Sequence, residues 1–192
     1  MTARSGTLRK LVAAGLTAFL LGSCTTAPRS TDTEAQMAAR PHMEQIADRY
    51  DQMRREMIDT LDIELGELGW RTNVDRGITW ANCSQEGVRT DATDFGMVGL
   101  IADGTYDRAD WHRSAELVLD IGRRYGFTET GTLLDREDDF EVWARDEYGA
   151  RYHFGMAVTS ILTLRTGCHL WDEQPGHDYA RASPLDERGH VS

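Results

Sequence analysis

Between residues 108 and 168 the spacing of apolar side chains changes once, and that change restricts the fold more than any other feature. Trp111, Ala115, Val118, Gly122 and Tyr125 recur at intervals of three and four, which is the repeat of one helix face. Gly126 stands where a left-handed residue closes a helix, and Phe127 supplies the apolar residue just beyond it. From there the interval falls to two. Phe140, Val142 and Ala144 alternate with Glu141, Trp143 and Arg145, and after the turn Asp146-Glu147-Tyr148-Gly149 come Tyr152, Phe154 and Met156, then Ser160 to Leu164. The pattern predicts a helix over 108–125, with Asp107 as N-cap and Asp110 three residues on. An antiparallel meander follows, with strands over 127–134, 140–145, 152–156 and 160–168, one face of which buries against helices.

Upstream, Ile46, Tyr50, Met53, Met57 and Leu61 recur at four, three, four and four, after Pro41. This predicts a helix over 42–66 ending at Gly66 or Gly69. Its methionine stripe suits core packing better than a copper or partner-binding face, because thioethers at helical spacing fill irregular gaps. Ile78 to Cys83 is β-branched and aromatic and reads as a strand. Residues 84–93 read as a polar loop, and Phe95 to Ile101 as a strand weakened by Gly96 and Gly99. The expected architecture is α+β: an antiparallel sheet of about four or five strands, packed by two main helices and closed by one disulfide. Residues 41–172 form one domain, and the polar tail 173–192 is expected to be disordered.

The N-terminus bears on location. Arg4, Arg9 and Lys10 precede an apolar run from Leu11 to Leu21, followed by Gly22, Ser23 and Cys24. The run has signal-peptide length but is short for a membrane span. Leu-Gly-Ser-Cys resembles the bacterial lipobox, in which the thiol accepts a diacylglyceryl group. That resemblance implies loss of residues 1–23 and acylation (palmitate or similar chains) of Cys24. It places the protein on the outer face of the cytoplasmic membrane, held by two or more acyl chains at about 0.8 kcal/mol per buried methylene. Residues 24–40 read as a flexible linker, with 16 residues of coil after Cys24 spanning roughly 20–24 Å.

Cys83 and Cys168 remain. An odd count becomes even in an oxidising compartment, which predicts a disulfide. The rival is a metal site of Cys83, Cys168 and His169, which lacks the paired spacing of a zinc set. Three basic and no acidic residues lie in the first 23, so the rest carries 18 arginines against 32 carboxylates, a net of −14. Arginine use in place of lysine points to a GC-rich, actinobacterial source. The acidic body excludes nucleic acid as a partner, for want of a phosphate-neutralising patch. It also repels anionic lipid heads, leaving the membrane contact to the acyl chains.

Taken together, LGSC, WANC, RADWHRSAELVLDIGRRYG, FEVWARDEYGARYHFGM and LTLRTGCHL resemble the LppA-like lipoproteins of mycobacteria and related actinobacteria. The resemblance covers about residues 70–172. It implies a surface lipoprotein and brings no catalytic residues.

Catalytic signatures are absent from the sequence: no nucleophile elbow, P-loop, HExxH or thioredoxin-type CxxC occurs. His112, His153 and His169 read as packing or surface histidines. Asp103, Asp107 and Asp110 suit a helix start better than a calcium loop. Asp135, Glu137, Asp138 and Asp139 read as a solvated turn between strands. No catalytic residue, metal or cofactor is expected. The best functional reading is an envelope module that binds a protein, lipid or cell-wall component, with Trp143 and Tyr148 as its contact patch unless a helix covers that face. The alternative is an envelope hydrolase that gathers two or more of Asp138, Asp139, Glu141 and His153 around one cleft.

Overall fold

The computed structural model describes residues 34–73, 79–85 and 88–173. The expected signal segment, Cys24, most of the expected linker, the start of the strand expected at Ile78 and nearly all of the expected tail lie outside them. Helix α1 is Glu34–Ala38, α2 is Met43–Leu65 and α3 is Trp111–Arg124, the last entered by a 3-10 turn at Arg108–Asp110. The strands are β1 Arg71–Asn73, β2 Thr79–Gln85, β3 Val88–Gly96, β4 Gly99–Ala102, β5 Glu129–Asp135, β6 Phe140–Arg145, β7 Arg151–Met156 and β8 Ser160–His169.

They form one antiparallel sheet in the order β1-β4-β8-β7-β6-β5, with β3 also paired to β8 and β2 to β3. Eight strands replace the four or five expected: β1 at Arg71–Asn73 adds an edge strand on β4 where none was expected, and two further differences have physical reasons. The run expected over 95–101 breaks at Met97-Val98, so one edge of β8 takes two partners: β4 against Ser160–Leu162 and β3 against Arg165–His169. Met97 N–H donates to Leu164 O at 3.0 Å across the break. The residues read as a polar loop, 84–93, instead continue β2 and open β3. Four of the five β2 residues from Thr79 to Cys83 are exposed, Cys83 excepted, and the buried positions at the end of 84–93 are the small Ala92 and Thr93, so no alternation of large apolar residues marks that stretch as a half-buried strand.

The two long helices form where their spacing predicts. Asp107 and Asp110, however, make no side-chain cap bond, so the expected box-like start is corrected to a 3-10 turn. The end of α3 does follow its signal. Gly126, at φ +99°, donates to Arg123 O at 3.1 Å, and Phe127 N–H donates to Gly122 O at 3.0 Å, the paired bonds of a Schellman close. Phe127 is thereby driven into the core, 0% exposed. A helix at Glu34–Ala38 stands within the stretch read as linker, and its Met37 is buried.

Both α2 and α3 pack on one sheet face, where Phe140, Val142, Ala144, Tyr152, Phe154, Leu162 and Leu164 join Tyr50, Met53, Met57 and Val118 in one core. The methionines of α2 are core side chains. Gly122 is required by a close approach: a Cβ there would meet the Tyr152 ring carbons at 2.9–3.0 Å. One charged pair is also sealed inside. Arg54 (0% exposed) donates to Asp51 (2%) one turn earlier and to Val98 O in the β3–β4 break.

Candidate functional site

Three places hold the polar and aromatic residues left over from the core. The first is the corner where the N-terminal segment meets the end of β8. Cys83 on β2 is bonded to Cys168 on β8, with Cα atoms 6.1 Å apart. This occupies both thiols of the rival metal set, and His169 Nδ1 lies 2.8 Å from Pro41 O. Met37 of α1 packs with Cys83, Ala92, Cys168 and Leu170. Arg40 donates to Cys168 O at 3.0 Å and Tyr148 O at 3.3 Å, and Met43 N–H to Leu170 O at 2.8 Å. The segment leading from the N-terminus is thus fastened to the last strand beside the disulfide. On the same hairpin, Trp80 joins Phe95 and Trp171 in a trio with ring centroids 5.7, 6.1 and 6.0 Å apart.

The second place is the β6–β7 turn. Asp146 accepts from Tyr148 N–H at 2.9 Å, Ala150 N–H at 2.8 Å and the Tyr50 hydroxyl. Burial pushes its carboxyl above the usual range, against the lowering effect of those donors. Burial likewise raises the Tyr50 phenol, with the Asp146 charge adding to it. Gly167, at φ +72°, lets β8 pass over this turn, where a Cβ would meet Tyr148 O at 2.6 Å. Tyr148 is half-buried, its ring edge-on to His169 at 5.4 Å with the Arg40 guanidinium over it at 5.7 Å. The His169 imidazole is fully buried, and burial holds it below its ordinary value. Tyr148 therefore serves the turn, and its neighbours are not those of Trp143.

The third place is the sheet face opposite α2 and α3. Trp143 pairs across the strands with Gly131 and with His153, and His153 with Thr163. A Cβ on Gly131 would meet the indole at 2.7–2.9 Å, so the ring packs directly against the β5 backbone there. The guanidiniums of Arg145 and Arg151 lie 5.7 and 5.8 Å from its centroid. The neighbouring row is Glu129, Arg145, Arg151 and Arg165. Arg145 pairs with Glu129 at 3.2 Å and Arg165 with Asp94 at 2.9 Å. Alternation places Trp143, Arg145 and Arg151 on one face, but it does not place Gly131 opposite Trp143, because a bulge in the β5–β6 pairing between Thr132 and Leu134 shifts the register.

Of the four residues named for a hydrolase, Glu141 and His153 come together, with Oε1 and Nδ1 2.6 Å apart and both partly exposed. Asp138 and Asp139 stay in the turn before β6. Arg108 straps that turn to the start of α3, donating to Arg136 O at 2.9 Å and Glu137 O at 3.2 Å while stacking on Trp111 at 4.5 Å. Nearby, His112 stands edge-on to Phe140 at 5.1 Å. Among the described residues, no group of three or more His, Cys, Asp or Glu side chains is arranged to hold a metal. Among them, too, no helix is long and apolar enough to cross a membrane.

Two solved structures share the fold. One is assigned as the lipoprotein LppA from Mycobacterium tuberculosis: 15% identity, 77% of this chain and 89% of that one covered, TM-score 0.59. The other is a DUF4853 family protein from Actinomyces odontolyticus: 13% identity, 75% and 82% covered, TM-score 0.53. No curated protein matches the chain. A family model does match residues 23–172, that of LppA, described as a lipoprotein confined to pathogenic Mycobacterium. With that span covering most of the chain, this protein belongs to the LppA family of lipoproteins.

Proposed function

We propose that this lipoprotein is held on the outer face of the cytoplasmic membrane by acyl chains on Cys24 and works there as a binding module. The open sheet face around Trp143 is its contact surface. The anchor reading is supported by the lipobox and by a family match that begins at Ser23, one residue before Cys24. The observation that carries the binding reading is the indole packed against the β5 backbone at Gly131 with two guanidiniums beside it. A partly exposed indole flanked by arginine fits a partner offering a ring or methyl face together with an anionic group: a glycan with acidic substituents, or an acidic peptide. The test is affinity capture from envelope fractions with the lipidated protein, comparing wild type with Gly131→Val, which must lift the indole off β5. Specific partners should be lost from the variant while it stays membrane-bound. Partners retained in full would refute this face as the contact surface.

The Glu141–His153 pair favours a second reading, an envelope hydrolase in which the carboxylate orients the imidazole as a general base. Hydrolysis of cell-wall fragments by wild type but not by His153→Gln would establish it over the first.

A further inference from the structure

We infer that the Trp80 corner docks on the membrane surface, so that the domain lies against the bilayer in a fixed orientation. The inference rests on acylation of Cys24. The described fold begins at Glu34, and the ten residues from Cys24 to Thr33 reach at most about 33–36 Å when fully extended. That bound keeps the entry corner within about 36 Å of the acylated residue, so among the faces of the domain it is the one on the shortest leash. The corner is fixed to the fold at four points: Met37 on the disulfide cluster, Arg40 on Cys168 O, Pro41 O by His169, and Met43 on Leu170 O. Trp171 follows Leu170 by one residue and stacks on Trp80 and Phe95.

Trp80 is 42% exposed, while Phe95 and Trp171 beneath it are buried at 5% and 9%. An indole backed by two aromatic rings and open to solvent on its outer side has the amphipathic form that favours the headgroup region. The other large exposed hydrophobics among the described residues lie elsewhere. Val158 is in the turn at the opposite end of β8, Leu133 is on β5, five strand spacings or roughly 24 Å across the sheet from β2, and Ile63 is 20 residues along α2 from Met43, roughly 30 Å of helix. None of the three can share that surface when the entry corner faces the lipid. The acidic charge of residues 24–192, −14, opposes attraction to anionic lipid, so the contact is aromatic and is expected on zwitterionic bilayers.

The test uses the acylated full-length protein in phosphatidylcholine vesicles whose acyl chains are brominated near the headgroup, read by flotation and by tryptophan emission. Trp80 is one of five tryptophans, so wild type should float and lose about a fifth of its emission relative to unbrominated vesicles. Trp80→Phe preserves an aromatic ring on Phe95 and Trp171. It should float equally and lose at least threefold less, with an unchanged far-ultraviolet spectrum. Flotation with equal quenching in both proteins, or with none in wild type, overturns the docking and leaves the anchor standing. Failure of wild type to float overturns the anchor, and the docking with it.

Discussion

The sealed Asp51–Arg54 pair is expected to behave as a single unit. Both side chains are removed from water, 2% and 0% exposed, and Arg54 spends a second donor on Val98 O, at the break that splits one strand into β3 and β4. Removing one member leaves the other charge buried without its counter-ion, which costs about 3–5 kcal/mol. For a domain of this size each kcal/mol moves the melting midpoint by roughly 2–4 °C, so Asp51→Ala and Arg54→Met should each lower it by about 6–20 °C. The double variant removes both charges. What remains is mainly the unpaired Val98 carbonyl and a small void, roughly 1–3 kcal/mol. It should therefore be more stable than either single variant. Urea unfolding of residues 25–192, followed by tryptophan emission with the slope checked for constancy, measures all four corners of the cycle. A double variant whose loss equals the sum of the two single losses would refute the reasoning, since it would mean that neither charge depends on the other.

Two further outcomes follow from the entry corner. Replacing Cys83 and Cys168 together by alanine frees a loop with a sequence separation of 85, which the chain-entropy account values at about 4–5 kcal/mol. A fall of less than about 1 kcal/mol in unfolding free energy would contradict it. His169 gives the pH dependence: its folded-state value lies below the ordinary 6.5 because of burial, so the unfolded chain binds the proton first. Its stability contribution is then complete above about pH 6.5 and is lost as pH falls toward the folded value. Asp146, raised by burial, acts in the opposite sense, so the His169 contribution must be isolated with His169→Gln. That variant should flatten the decline below pH 6.5, and an unchanged slope would remove His169 from the account.

Local pattern settled the elements whose environment is one-sided. The α2 stripe from Ile46 to Leu61, the glycine-closed end of α3 and the alternation through β6 and β7 are visible because one face meets core and the other meets water. That contrast prints a period on the chain. The β2–β3 hairpin prints none, since β2 is mostly exposed and the buried positions of β3 up to residue 93 are the small Ala92 and Thr93, and so residues 84–93 looked like a loop. The break at Met97-Val98 was equally hidden, because it depends on β8 being long enough to take two partners on one edge.

The same division holds for the candidate sites. That Cys83 and Cys168 had partners in each other could be argued from their number and compartment alone, and Trp143, Arg145 and Arg151 fell on one face by alternation. Pairing across strands decided the rest. It put Gly131 under the Trp143 indole, brought Glu141 against His153, turned Tyr148 away toward His169, and set Trp80 beside the point where the N-terminal segment enters the fold. Sequence carries periodicity and composition, which are local. Register, close approach and shared burial are relations between distant segments, and only the folded sheet fixes them.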